Sequence, residues 1–201
     1  MLGKRFERII MICLIFAFTL TGCGDVNVKS LEETTLIVSK KGTVKEVIVE
    51  SFDKDYYSES ELKAFFDSRI NEYSSNGNEG KVKLSELKVK KGVAKAVLDF
   101  DAIASYTDFY KESELYYGTI NDAYDSGYSF DVSLRSFITS DIIDKSEIME
   151  MKKAMVIITN ECSTIVCPRN IAYISSNVET IDRRNVRVSP ESSGLAYIVL
   201  K

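Results

Sequence analysis

Apolar positions fall into three regimes along the chain. Ile9 to Leu20 form an apolar run, residues 35–130 mix alternation with helical spacing, and the runs turn continuous near the C-terminus. Thr35 to Ser39 and Val44 to Phe52 flank Lys40-Lys41-Gly42, with Val47 and Val49 alternating against Glu46, Ile48 and Glu50. That period of two predicts a β-hairpin turned at Gly42. Ser58-Glu59-Ser60-Glu61 has the form of a capping box ahead of Leu62, Phe65, Phe66, Arg69, Ile70 and Tyr73, which line one face of a helix. Ser74-Ser75-Asn76-Gly77 stops it. Val82, Leu84, Leu87 and Val89, then Lys91-Gly92, then Val93 to Phe100 predict a second hairpin. Asp101 to Lys111 and Glu112 to Asp125 read as helical up to Gly127, and Ser140 opens a shorter helical stretch to Lys153.

Met155-Val156-Ile157-Ile158 and Tyr197-Ile198-Val199-Leu200 lack polar alternation, which predicts central strands covered on both faces. Thr164 to Cys167 and Ile171 to Ser175 predict strands on either side of Pro168, and Asn177 to Ser193 reads as a long loop or a peripheral hairpin. The expected fold is a single α+β domain with a mainly antiparallel sheet of about six to eight strands and two or three helices. Lys40-Lys41-Gly42, Lys45 and Val47 recur fifty positions later as Lys90-Lys91-Gly92, Lys95 and Val97, which suggests a ββα unit used twice. Convergent turn chemistry would give the same match.

The N-terminal run changes the picture of location. It follows Lys4, Arg5 and Arg8 and spans twelve residues, short of the ~20 that a membrane-crossing helix needs. It ends in Leu20-Thr21-Gly22-Cys23, with small Gly22 directly before the cysteine. This resembles the lipobox of bacterial lipoprotein precursors. The resemblance implies that residues 1–22 are a signal peptide cleaved after Gly22, that the Cys23 thiol is diacylglyceryl-modified, and that the protein is held on the extracytoplasmic face of the cell membrane. Residues 23–34 would then be a lipidated tether, and residues 35–201 the folded domain. Leu87 to Ala104 resembles the strand-turn-strand core of GerMN-type domains found in Gram-positive lipoproteins and spore-germination proteins, which implies a non-catalytic envelope module.

Composition narrows the chemistry. The signal segment contains three basic residues and one acidic, so the remaining 179 residues hold 23 basic and 29 acidic side chains, a net charge of −6. Nucleic acid is therefore not an expected partner. His and Trp are absent, which removes His-based triads, His-ligated zinc and the commonest general base. No metal or cofactor is expected, because the chain carries no Gly-rich phosphate loop, EF-hand spacing or zinc ligand set. Beyond the signal segment and Cys23, only Cys162 and Cys167 remain. If both lay on one strand, they would sit about 16 Å apart, too far for a disulfide without an intervening turn; two buried thiols are the simpler expectation.

Three side-chain groups are candidates for function. Tyr106, Tyr110, Tyr116 and Tyr117, with Phe109, Tyr124, Tyr128 and Phe130 near them, would either stack on sugar rings or a peptide, or simply fill the core, the helical spacing of Tyr106, Phe109 and Tyr110 favouring the core. Lys88, Lys90 and Lys91, with Lys81, Lys83 and Lys95, would either dock on anionic lipid or an anionic wall polymer, or guard an edge strand. Asp99 with Asp101, and Asp141 with Asp144, are spaced so that an envelope hydrolase using two carboxylates is the alternative to a binding module. The same positions suit ordinary helix capping. Ser-x-x-Lys occurs at Ser51, Ser60 and Ser85 without its companion Lys-Thr-Gly element, and so does not point to acyl transfer. The leading expectation is a lipid-anchored binding or structural module whose partner is a cell-wall polymer or an envelope protein.

Overall fold

Alternating residues on β-strands bury one face of a sheet, and continuous apolar strands must be covered twice; both situations occur here, in two different sheets. The structure, a computed structural model, describes residues 26–189 and 194–201. The chain divides after Ser30. Within the described residues of the first unit, Val28–Ser30 form a 3₁₀ turn closed by the Ser30 amide and hydroxyl on the Asn27 carbonyl. Residues 1–22, expected to be a signal peptide, and Cys23 lie outside the described residues.

The second unit, Leu31–Lys201, holds two sheets. The first has the order β11 (Val178–Thr180), β12 (Asn185–Val188), β9 (Thr164–Val166), β1 (Thr35–Val38), β2 (Val44–Ser51), β4 (Val93–Phe100), β3 (Val82–Lys90), with β1 parallel to β9 and every other pair antiparallel. The second, antiparallel throughout, has the order β5 (Leu115–Thr119), β8 (Met155–Thr159), β13 (Ala196–Leu200), β10 (Ile171–Ser175), β6 (Leu134–Ser136), β7 (Ile142–Ile143). Four α-helices complete the described residues: α1 (Glu59–Tyr73), α2 (Ile103–Phe109), α3 (Ile120–Asp125) and α4 (Lys145–Glu150). The class is α+β and mainly antiparallel, as the pattern predicts, with the strands shared between two sheets.

The main core lies between the sheets. Leu36, Val44, Leu98 and Ile165 from the first meet Ile157, Ile171, Ile174 and Ile198 from the second, and Phe66, Tyr73, Tyr106 and Phe109 of α1 and α2 close one side. A second core forms on the far face of the six-stranded sheet, where Val156, Ile158, Tyr197 and Val199 are covered by Ile120 and Ala123 of α3, Ile148 of α4, and Phe130. The two continuous apolar strands, β8 and β13, are thus central and buried on both faces.

The fifty-residue offset appears in the strand pairing. β2 and β4 pair with Val47 opposite Val97, each the other's counterpart at that offset, and Lys45 opposite Asp99 and Val49 opposite Lys95 fall symmetrically around them. The two hairpins, β1-β2 and β3-β4, therefore meet about a local two-fold between the two valines, and their following helices do not share it: α1 packs on β3, whereas α2 packs on β4 and β5. The hairpin turns differ. Ser39 donates its amide to the Thr43 carbonyl across the first, which needs positive φ at Gly42 (80°), whereas Lys91 (53°) and Gly92 (75°) make a two-residue type I′ turn in the second. A Cβ on Gly92 would lie 3.3 Å from Asp53 Cβ, and one on Gly42 would meet nothing within 4 Å. Gly92→Ala should destabilise the protein by about 2 kcal/mol and Gly42→Ala by less, measurable as urea midpoints.

Three expectations change. Residues 112–125 are not one helix: Leu115–Thr119 pair with β8, a tyrosine-rich stretch suited to a strand, and only Ile120–Asp125 are helical. Within 140–153 the helix is confined to Lys145–Glu150, because Ile142 and Ile143 pair with β6 and Asp144 caps the helix with a complete capping box to Glu147. Leu31 to Thr34, given to the tether by composition, are bound into the sheet. Glu33 holds Arg187 through both carboxylate oxygens (2.8 and 2.7 Å), Thr34 bonds the Val49 backbone, and Lys95 donates to the Leu31 carbonyl.

Candidate functional site

The lysines gather on the outer face of the seven-stranded sheet. In successive rows across β2, β4 and β3 stand Lys45, Asp99 and Lys83; Val47, Val97 and Glu86; Val49, Lys95 and Lys88; Ser51, Val93 and Lys90. A one-residue bulge at Ser85 sets this phase. Without it Leu87 and Val89 would take the outer face and Lys88 and Lys90 the core side, since a shift of one residue exchanges the faces of a strand. Five lysines thus share a face with two carboxylates. Lys45 pairs with Asp99, and Lys88 reaches Glu86 at 2.7 Å. Exposed pairs of this kind contribute about 1 kcal/mol or less, so they set local charge rather than stability. β3 is an edge strand, and lysines along it oppose further strand addition.

The tyrosines divide between core and rim, and the surface platform considered for them does not form at Tyr106 and Tyr110. Tyr106 is buried, and both rings belong to a cluster around Phe100, with centroids 5.1 and 6.0 Å from its ring. Helical spacing turned them inward, as amphipathic packing requires. Tyr116 and Tyr117 are half-buried on opposite faces of β5, Tyr116 beside Tyr128 at 5.1 Å and Tyr117 against the main core. They cannot form one platform.

The aspartates are occupied locally. Asp99 pairs with Lys45, Asp101 accepts from the Ser105 hydroxyl (2.5 Å), and Asp144 accepts from the Ser146 and Glu147 amides at 2.8 and 3.3 Å. Bonds from Ser146 and from these amides hold the Asp144 carboxyl below its ordinary value. Asp141 precedes β7 and does not open the helix. Asp99 and Asp101 do line one hollow of about 360 Å³, with Lys45, Lys81 and Lys83. Of the Ser-x-x-Lys pairs, Ser60 bonds Ser58, Lys63 pairs with Asp67, Ser85 bonds the Val97 carbonyl and Lys88 pairs with Glu86.

A group the sequence reading passed over is Glu46. It stands on the core side of β2, between Leu36 and Leu98 on the neighbouring strands, and accepts a 2.7 Å hydrogen bond from the Tyr110 hydroxyl. Burial pushes its carboxyl up to about 7, the Tyr110 bond works against the rise, and the Glu161 charge adds to it. Burial and then the Glu46 charge raise the hydroxyls of both Tyr106 and Tyr110. The available signal was position: Glu46 alternates in phase with Val44 and Ile48, both of which face the core.

Cys162 and Cys167 are free thiols. Cys167 is buried and burial pushes its thiol up to about 12, but Cys162 is exposed, contrary to the expectation of two buried thiols, because β9 begins only at Thr164. Among the described residues no group of three or more Cys, Asp or Glu is placed to hold a metal ion, and no helix is long and apolar enough to cross a membrane. No protein-family profile, curated protein or solved structure matches the chain.

Proposed function

We propose that the protein is a lipid-anchored, extracytoplasmic binding or structural module of the cell envelope. The observation that carries this reading is Leu20-Thr21-Gly22-Cys23 at the end of a short apolar run behind three basic residues. Two or three acyl chains, each buried methylene contributing about 0.8 kcal/mol, hold a protein on a bilayer essentially permanently. The occupied state of Asp99, Asp101 and Asp144 supports a binding role over carboxylate hydrolysis, since a general acid or nucleophile needs its oxygens directed at substrate.

Fractionating cells that produce the protein tests the anchor. The unaltered chain is expected in the membrane fraction and to incorporate labelled palmitate. Cys23→Ala is expected to lose the label completely and either leave the membrane or remain unprocessed. Membrane retention of a processed Cys23→Ala protein would overturn the reading.

A further inference from the structure

The β6–β7 and β11–β12 turns meet the start of β10 and the end of β13 at a hollow of about 410 Å³, lined by Phe137, Ile138, Asn170, Ile171, Arg183 and Lys201. Its walls come from both sheets and are tied by backbone bonds: Phe137 donates its amide to the Ala172 carbonyl (2.8 Å), Ile171 to the Arg183 carbonyl (2.9 Å) and Lys201 to the Asn170 carbonyl (2.9 Å). The hollow is therefore formed before any ligand arrives, which lowers the ordering cost of binding. Its floor is apolar. Ile171 is buried, Phe137 packs against the main core, and Ile138 at the rim is 69 % exposed. The Ser136 hydroxyl accepts the Ile138 and Thr139 amides (3.3 and 3.2 Å), which fixes the turn that carries Ile138.

The charge of the lining is one-sided. It holds Arg183 and Lys201 and no acidic side chain, and among the described residues neither cationic side chain has an ion pair or a hydrogen bond. The terminal carboxylate on Lys201 makes no ion pair with Arg183 either. Asp182, beside Arg183 in sequence, is engaged elsewhere: the Arg184 and Asn185 amides occupy one of its oxygens (2.7 and 2.9 Å) and the Asn185 side-chain amide the other (2.6 Å). The hollows at Asp99, at Asp67 and at Asp108, by contrast, all set carboxylates beside their cations. A concave, largely apolar hollow within the ~300–1,000 Å³ of small-molecule sites suits a small ligand rather than a flat protein surface. A bare inorganic anion would leave Phe137 and Ile138 uncovered, and an uncharged hydrocarbon would leave Arg183 and Lys201 without a partner, whereas a guanidinium and an ammonium together match a carboxylate. We infer that this hollow binds a small amphipathic carboxylate, its head group on Arg183 and Lys201 and its apolar body against Phe137 and Ile138. The inference gives the binding module a ligand class and rests on that reading for its biological setting.

Decanoate and decanol, alike in chain and different in charge, test this on the purified full chain. Calorimetry should show decanoate binding at least about tenfold more tightly than decanol, and added salt should narrow the difference. A diazirine-bearing decanoate should attach on irradiation to peptides containing Phe137 and Ile138 or Asn170 and Ile171. Replacing Arg183 and Lys201 together by Gln should weaken decanoate binding about tenfold, at up to about fivefold for each exposed charge contact, and should remove most of the label from those peptides. Ile138→Asp should weaken binding at least as much, whereas Ile142→Asp, at a position 70 % exposed in β7 and outside the lining, should leave it unchanged. Arg183, Lys201, Ile138 and Ile142 are all exposed, so the four replacements are expected to keep the native circular dichroism spectrum. Decanol binding as tightly as decanoate, label confined to other segments, or label at these peptides that survives the double replacement would overturn the inference. Inorganic phosphate displacing decanoate at equal concentration would overturn it in favour of a bare anion site. Cell fractionation of Cys23→Ala reports on the anchor alone and the labelled peptides on this hollow alone, so a failure of either is told apart from a failure of the other.

Discussion

Glu46→Gln should raise stability at pH 8 by up to about 3 kcal/mol and flatten a pH dependence that the unaltered protein shows between about pH 4.5 and 7. The physical basis is linkage. The folded protein holds the Glu46 carboxyl at about 7 against 4.5 for an ordinary glutamate, so across that window the folded state keeps a proton that the unfolded chain has released. Stability then falls as pH rises, by about 1.4 kcal/mol per unit, and levels off above the folded value. The contribution is fully present below pH 4.5 and gone above 7. Gln keeps an oxygen that can accept from Tyr110 but has no proton to lose. Urea midpoints across this range check it, and parallel curves for the two proteins would show that Glu46 is not the group titrating. Tyr110→Phe removes the bond that opposes the rise, so its curve should stay sloped to higher pH.

Phe100→Ala should cost about 3–5 kcal/mol, the range for truncating a buried aromatic ring. Phe100 is 2 % exposed at the end of β4, and the rings of Tyr106, Phe109 and Tyr110 surround it at 5.1, 5.7 and 6.0 Å. Edge-to-face contacts with Tyr106 and Phe109 add to simple burial. Those rings come from α2 and the residue after it, so losing Phe100 removes an aromatic contact between this helix and the seven-stranded sheet, and the site cannot readily collapse. Tyr124→Ala, at 49 % exposed, should stay within about 0.5 kcal/mol and serves as the control. A loss below about 1 kcal/mol at Phe100 would mean that the ring cluster is not packed as described.

Local signals carried much of the fold. Gly42 and Gly92 mark their turns because only a residue tolerant of positive φ suits them, Asp144 and Glu147 mark a helix start by reciprocal capping, and the unbroken runs in β8 and β13 mark strands with no wet side. The tyrosine stretch 115–119 misled for a reason of the same kind. Tyr, Gly and Thr in a short segment carry no 3.6-residue period, and the strand exists because β8 offers it a partner. Asp144 invited an acid-base reading and proved to be a cap, as a lone aspartate ahead of a helix commonly is.

The lysine face shows where local reading ends. Lys83, Lys88 and Lys90 belong to one face only because Ser85 bulges, and Lys45 and Lys95 join them only because two hairpins pair back to back at Val47 and Val97. No window of sequence contains that pairing. Glu46 is similar: its strand neighbours and Tyr110, sixty-four positions away, put it beside the core. What the chain specifies on its own is everything set within a few residues: turns, caps, strand runs, and an apolar segment closed by a cysteine that resembles a lipobox. Which side of a sheet each residue occupies, which carboxyl loses its water, and which surface gathers the lysines depend on pairing between distant strands, because faces and burial are properties of the assembled sheets and not of any segment.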